Sequence, residues 1–518
     1  MTISITDTAG HTVDFAADVG RTLAQTAFLS GHWQATALCS GLGRCGRCRM
    51  RFLSTAPTPQ ADELRVLSEA ELAQGWRLGC RHMALAGTRV FLPAELALEA
   101  PVAAVQATRE LRLAVDLGTT SVQWEALDAS GTVVASGAAL NPQLGAGSEV
   151  MSRLAFAATA QGAQLLRHAV LHLLRGIIAL LPGQVVRLAV AGNPAMTLLL
   201  LGVSVDGLSS APYRLDEPGG RMLTLANNLP ETYVLPQLAP FVGGDLSAGM
   251  VALLMATEPP QTPFLLSDMG TNGEFLLALS DSEYLSASVP LGPALEGAGL
   301  ACGNVAGNGA VSSYRLSPSG LEARCIGGGA PSREAGITGA GYLSLLAILK
   351  EQGLLDDGGG FAPGTTPLAA RMAVDFGTIA GEPCLNLPGG LFLTASDVEE
   401  VLKVKAAFDL AVGALLDRSG LLPGALSCLC LAGALGAHVA PLDLETLGFL
   451  PPGLGARVRT VGNTSLAGAR LMLTVPEARE MAEAMPGRTS NIDLTGDPAF
   501  GQEFVRRMHF HFGNQRVS

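Results

Sequence analysis

The chain has 518 residues, with 33 Lys or Arg against 45 Asp or Glu and a formal net charge of −12. At ~150 residues per domain, that length allows three or four domains with large buried cores. The acidic balance argues against a nucleic-acid backbone as partner. Charged residues make up 15% and aromatics 5%, a mixture that excludes a disordered chain and leaves few stacking platforms for single strands.

The first residues, Met1-Thr-Ile-Ser-Ile-Thr-Asp7, lack the basic patch and apolar core of a signal peptide. The longest apolar run, Leu165 to Leu181, is broken by Arg167, His168, His172 and Arg175, short of the ~18 uninterrupted apolar residues of a membrane span. A soluble, cytoplasmic protein with no membrane partner is expected. The only lysines are Lys350, Lys403 and Lys405, and none follows a glycine. A Walker A loop is thereby excluded, so ATP, if handled, is handled without a P-loop.

In chain order, Thr2 to Thr6 and Thr12 to Phe15 alternate around a turn at Asp7 to Gly10, which predicts a hairpin. Arg21 to Ser30 reads as a helix, Cys48 to Leu53 and Thr88 to Leu92 as strands, and Glu69 to Gln74 as a short helix. Together they suggest a small β-grasp domain over residues 1–94. Four of the nine cysteines, Cys39, Cys45, Cys48 and Cys80, fall inside it.

The first three cysteines are spaced Cys-x5-Cys-x2-Cys, and the fourth follows 32 residues later. Plant-type 2Fe–2S sites use a closely similar spacing, because one loop must wrap a buried cluster. Gly41, Gly43 and Gly46 allow the positive φ such a loop needs. They also spell a Gly-x-Gly-x-x-Gly, but without the strand-to-helix context of a dinucleotide fingerprint. The alternatives are weaker. Disulfides are disfavoured in a reducing compartment, structural zinc wants two short paired spacings, and unrelated buried thiols leave the glycine loop unexplained. Residues 1–95 carry nine Arg against eight acids. The group Arg44, Arg47, Arg49 and Arg51 reads either as ordinary solvated surface or as a dock for an acidic electron-transfer partner.

Residues 95–110, rich in alanine and holding Pro101, read as a linker. Beyond it, Leu111 to Asp116 is a predicted strand, Leu117 to Thr120 a tight turn, and Ser121 to Leu127 and Thr132 to Gly137 two more strands. The pattern returns as Phe264 to Asp268, Met269 to Asn272, Gly273 to Leu279 and Tyr284 to Val289. Strand–Asp-x-Gly-Thr–strand therefore repeats at 152 residues, the signature of two similar subdomains facing across a cleft.

Such turns offer backbone and hydroxyl donors to phosphate oxygens, and the preceding Asp116 and Asp268 can hold hydrated Mg²⁺. Ions and donors together stabilise phosphoryl transfer without a covalent nucleophile. Asp245, in Phe241-Val-Gly-Gly-Asp245, could orient a water or metal, or could equally be a helix N-cap. Thr338-Gly-Ala-Gly341 leads into a helix whose N-terminus suits a phosphate or ribose. Leu429 to Gly436 is an apolar strand ending in a glycine turn, read either as the border of an adenine or, for that segment alone, as a buried strand end. Cys302, Cys325, Cys384, Cys428 and Cys430 lack paired spacing and read as core thiols. His509 and His511 have no obvious third ligand.

Taken in order, Trp76-Arg-Leu-Gly-Cys80, Val115 to Thr120, Ala191 to Met196, Phe241 to Asp245, Asp268 to Glu274, Gly292 to Gly297, Gly336 to Gly341, Leu431 to Gly436 and Val461 to Asn463 resemble the ATP-dependent reductive activators of corrinoid enzymes. That family joins a ferredoxin-like domain to an actin/sugar-kinase/Hsp70-type (ASKHA) ATPase. The resemblance implies an α/β multidomain chain: a ferredoxin-like domain at 1–94, a linker at 95–110, a duplicated actin-like domain at 111–486 and a tail at 487–518.

It implies cluster ligation by Cys39, Cys45, Cys48 and Cys80. ATP and Mg²⁺ would be held by Asp116, Thr119, Thr120, Asp268, Gly270, Thr271 and Asn272, with Asp245 and Gly339 nearby and Gly433 and Gly436 near adenosine. The expected reaction is one-electron reduction of Co(II) corrinoid to Co(I) on a methyl-transfer protein, fed by a low-potential donor, in a homodimer. Each ~59 mV of uphill potential is a tenfold unfavourable equilibrium, so ATP must act through two conformations of unequal affinity. Two departures stand out: the short linker, and Ala434-Leu435 where Gly-Phe is often found. Other function classes are a small-molecule kinase with a regulatory cluster, and a non-catalytic redox module. A dehydratase activator would share its cluster between subunits, whereas the cysteines here suffice within one chain.

Overall fold

The computed structural model describes residues 2–513 apart from 9, 17–19, 30–40, 42, 44, 45, 47, 94–109, 148, 298, 319, 380, 434, 435 and 437. The expected linker, except Glu110, lies outside the described residues, as do Arg44, Arg47, Ala434 and Leu435.

The N-terminal module is built on a five-stranded sheet. Its spatial order is Thr12–Ala16, Thr2–Thr6, Arg89–Phe91, Arg49–Phe52 and Trp76–Leu78. The hairpin pairs Thr2 with Ala16 through Thr6 with Thr12, and Ser4 to Thr6 run parallel to Arg89 to Phe91. The helix Leu23–Leu29 packs Leu23, Ala24 and Ala27 into the core. A helix at Ala61–Val66 was not expected. Its N-cap is Gln60, outside the usual Ser, Thr, Asp and Asn set, but Glu63 completes a capping box with it. The fully buried Glu63 accepts from Leu78 N at 2.6 Å and pairs with His82 at 2.9 Å. These donors outweigh desolvation and hold its carboxyl below the usual range.

Two six-stranded sheets follow. The first has the order Arg221–Leu223, Glu231–Val234, Gln184–Gly192, Glu110–Leu117, Ser121–Leu127, Val133–Leu140. The second runs Val458–Gly462, Leu429–Ala432, Phe264–Met269, Asn272–Ser280, Glu283–Pro290, Thr489–Ile492. In each, three consecutive antiparallel strands are extended on the first strand's side by two parallel ones. The repeat therefore extends from the turns to whole sheets.

Between the sheets lie the helices Gly244–Leu254 and Thr464–Thr474, packed on each other. A core containing Ala114, Tyr233, Phe264, Leu266 and Cys430 joins the two halves around them. The helix Ala160–Leu180 is, among the described residues, long and apolar enough to span a bilayer. Its buried residues Leu166, Val170, Leu171, Leu174 and Ile177 recur on one side and enter the core, and Arg167 donates to the Leu200 and Leu225 carbonyls. The 25-residue helix Ala395–Ser419 is capped by Thr394 and Asp397.

Within residues 487–518, which the resemblance set apart as a tail, the described part adds the edge strand Thr489–Ile492 and the helix Phe500–Arg506, and buries Phe510 completely. Lys350 and Lys405 donate to the carbonyls of Phe510 and His511. Gly513 N donates to Asp409 at 2.9 Å.

Candidate functional site

Cys48 and Cys80 flank two paired strands. Arg49 stands opposite Leu78, and Gly79 N donates to Cys48 O at 2.7 Å. Both are buried, at 1% and 8% exposure. Gly41 of the glycine loop lies beside Cys80. A Cβ on Gly41 would stand 4.0 Å from that of Cys80, and Arg81 donates to Gly41 O at 3.1 Å. Gly41, Gly43 and Gly46 have φ of 85°, 75° and 65°, conformations a side chain would strain. Two buried thiols flanking paired strands, one of them beside a left-handed glycine, fit a thiolate-held cluster. Cys39 and Cys45 lie outside the described residues. Arg49 pairs with Glu71 at 2.5 Å, and Arg51 lies over the Trp76 and Phe91 rings, so both have partners within the chain.

The second site is the cleft between the halves. Asp116 and Asp268 are the penultimate residues of the strands Glu110–Leu117 and Phe264–Met269. The turns that follow meet: the hydroxyls of Thr120 and Thr271 are 3.2 Å apart. Asn141 N donates to Thr120 O, and Leu291 N to Thr271 O, so in each half the residue just past the third strand holds its turn. Thr119 accepts from Asn193 Nδ2 at 3.0 Å. Asp116 accepts from Asn463 Nδ2 at 2.7 Å and Ser465 Oγ at 2.8 Å, from the N-terminus of Thr464–Thr474. A helix of the second half thus fixes the first half's carboxylate.

Asp245 sits in the first turn of Gly244–Leu254, whose N-cap is Gly243. It shares a hydrogen bond with Glu274, which is 3% exposed and has Oε2 without a partner. Two carboxyls in such contact hold a proton between them. Burial first, then the facing Asp245, pushes Glu274 well above the usual carboxylate range; burial pushes Asp245 up to about 6, its hydrogen bond with Glu274 opposing that rise and Asp116 adding to it. Burial, then Asp245, Asp116 and Glu296, pushes Asp268 up to about 8. Burial likewise raises Asp116 against its two donors. So many acids in one cleft, with an orphaned buried oxygen, are the chemistry a cation with phosphates would satisfy.

Gly433, at φ 89°, lies against Asp268. Gly270 closes the second turn by donating to Asn272 O. Gly339 begins the helix Gly339–Glu351, three residues earlier than the sequence suggests, because Thr338 caps it by accepting from Gly341 N. Its absent Cβ would meet the Leu295 carbonyl. Gly436 packs against the Leu431 carbonyl.

Sequence reading assigned no role to Glu296, Glu274 or Arg153. Glu296 accepts from Thr120 at 2.5 Å and from Thr271 at 2.9 Å. Arg153, fully buried, donates to Gly147 O and Thr119 O. Burial pulls it down to about 9, and Glu296 opposes that pull. Both glutamates lie inside quoted motifs, which was the available signal. Arg153 carried none.

Two duplicated sheets, each presenting an Asp-x-Gly-Thr turn to one cleft, define an actin-like ASKHA fold. Residues 262–516 match the C-terminal domain of RACo, the ASKHA domain, and residues 111–258 match the RACo middle region. The chain is 29% identical over 489 residues to the corrinoid activation enzyme RamQ of Eubacterium limosum, spanning 88% of this chain and 78% of that one. It is 30% identical over 394 residues to the Co(II) methylated amine-specific corrinoid protein reductase of Methanosarcina barkeri, 69% of each. A solved reductive activator for corrinoid, iron-sulfur protein shares the fold over 98% of both chains, with a TM-score of 0.68 at 22% identity. The chain belongs to the RACo family of corrinoid reductive activators.

Proposed function

We propose that this protein reductively activates a corrinoid protein, returning Co(II) corrinoid to Co(I) in a step coupled to ATP. The observation that carries this reading is the meeting of Thr120 and Thr271 at 3.2 Å between carboxylates of both halves, in a chain whose N-terminal module presents buried thiols. Asp116, Asp245 and Asp268 hold hydrated Mg²⁺. Thr119, Thr120, Gly270, Thr271 and Asn272 bind phosphates, Gly339 lies by the phosphate or ribose, and Gly433 and Gly436 border the adenosine. The N-terminal module is a ferredoxin-like β-grasp domain whose Cys39, Cys45, Cys48 and Cys80 hold a 2Fe–2S cluster. When bound, that cluster supplies a single electron at a time.

The chain's own residues do the rest. Burial of Cys48 and Cys80 keeps water from the thiolates. Bringing phosphates and Mg²⁺ to the crowded acids draws the two halves together, so nucleotide binds the closed cleft more tightly than the open one. The protein works as a cytoplasmic homodimer, taking electrons from a low-potential donor. The test is anaerobic: the reduced protein is mixed with corrinoid proteins and cobalt spectra are followed with and without ATP. Co(I) that forms faster with ATP is expected. Failure to form Co(I) with any corrinoid partner, by protein loaded with iron and sulfide, would overturn the reading.

A further inference from the structure

The two halves each carry a short 3-10 turn after their third strand, Pro142–Gly145 and Pro293–Glu296, both spelled Pro-x-Leu followed by the divergent residue. In the first half that residue is Gly145, and it lies against the N-terminal module. A Cβ there would stand 2.0 Å from the Phe28 ring, which itself packs edge-on against Phe156 at 6.3 Å. In the second half it is Glu296, whose carboxylate takes the hydroxyls of Thr120 and Thr271.

Five residues after Glu296 the same segment also reaches the N-terminal module. Gly299 and Ala301 line a cavity of about 90 Å³ opposite Gly43, Asp62 and Val66, with Asp397 behind. Val66 in turn lies against the cysteine loop, where a Cβ on Gly46 would stand 2.7 Å from it. The segment is held at Gly297 and at Ala301. A Cβ on Gly297 would meet the Asn304 carbonyl at 2.0 Å, and Ala301 N donates to Asp397 at 2.7 Å. The N-terminal module therefore straddles equivalent turns of the two halves, and one of those turns ends in the cleft.

We propose that Glu296 is a positioning residue that relays nucleotide occupancy to the cysteine module. Its carboxylate occupies the threonine hydroxyls until phosphate oxygens take them. Displaced, it carries residues 297–301 against Val66 and the cysteine loop. Carboxylate and phosphate cannot share those donors, because each accepts the same hydrogens and like charges repel at this range. The relay rests on the nucleotide reading above, since Thr120 and Thr271 must meet phosphates for Glu296 to be displaced.

The test uses the full chain with its cluster. Binding of a fluorescent ATP analogue and amide hydrogen exchange of peptides spanning 41–50, 60–67 and 297–303 are measured for wild type, Glu296→Ala and Glu296→Gln. Wild type should bind the analogue, and ATP should change exchange in all three peptides. Glu296→Ala should bind about tenfold tighter, within the usual range of site-to-site coupling, while exchange at 41–50 and 60–67 no longer responds to ATP. Glu296→Gln keeps the shape without the charge. It should bind more tightly than wild type and keep the exchange response, which a purely structural role would not produce. Wild type that binds no analogue removes the nucleotide site and this relay with it. Wild type that binds without an exchange change at 60–67, or Glu296→Ala that responds as wild type does, overturns the relay alone.

Discussion

A Cβ atom on Gly433 would stand 2.7 Å from Oδ1 of Asp268, nearer than a side chain can come to a carboxylate oxygen. The backbone of Gly433 is also left-handed, at φ 89°. Gly433→Ala therefore meets two penalties: about 1–2 kcal/mol of backbone strain, and displacement of Asp268. The expected outcome is loss of ATP-dependent corrinoid reduction by roughly tenfold or more, since misplacement near 1 Å has that scale, with the visible cluster spectrum unchanged. Asp268→Ala should do the same. Normal ATP dependence in either variant would move the phosphate site elsewhere.

Cys48 is buried, as is Cys80 beside Gly41 of the glycine loop. Cys48→Ser should abolish the visible absorption of the iron–sulfur group while far-UV circular dichroism and nucleotide binding persist, because the two large sheets do not depend on that thiol. A spectrum retained in full would remove Cys48 from the ligand set.

Gly468 lies where two helices cross between the halves. A Cβ there would stand 2.1 Å from the Ala248 carbonyl. Gly468→Ala should lower stability by about 1–3 kcal/mol, the usual penalty of overpacking, measured as a shifted urea midpoint. It should also weaken nucleotide binding, because Asn463 and Ser465 at the start of the same helix hold Asp116.

Lys405 and Asp409 form an ion pair at 2.7 Å with both side chains fully buried. Lys405→Met leaves a buried carboxylate without its cation and should destabilise by about 3–5 kcal/mol, whereas Lys405→Met with Asp409→Leu should recover most of that loss. Burial pulls Lys405 down to about 8, with Asp409 opposing and Arg507 and Lys350 adding to the pull. A base whose folded pKa lies below its unfolded one is less protonated in the native state between the two values. Stability therefore rises with pH through that window, and the penalty of the charged form is fully present below 8. Wild type should gain on Lys405→Met between pH 8 and 10 in denaturant titrations, and a constant gap would refute the assignment.

The parts of the cleft that could be read in sequence are those carried by local chemistry. Asp116 and Asp268 announce themselves because the turn after each needs glycine and hydroxyls at fixed spacing, and the strands around them alternate. Glu274 and Glu296 stand inside the same motifs, yet nothing local says that one shares a proton with Asp245 or that the other bridges Thr120 and Thr271. Those relations join residues 25 to 176 positions apart, none of them on one local element. Arg153 is a solvent-type residue on a helix until Thr119 and Gly147 arrive from elsewhere to receive it. Lys405 served only to exclude a P-loop, and its place in the core depends on Asp409 one turn along and on His511 a hundred residues away.

The burial of Phe510 and the hold of Asp409 on Gly513 bear on how the chain is made. The second half cannot close its interior until its final stretch has left the ribosome, while the N-terminal module and first half have all their strands long before. The groove between the halves is then the last feature to take shape during synthesis, and a chain cut short of Phe510 would leave the second half's interior open even with every strand of both sheets present.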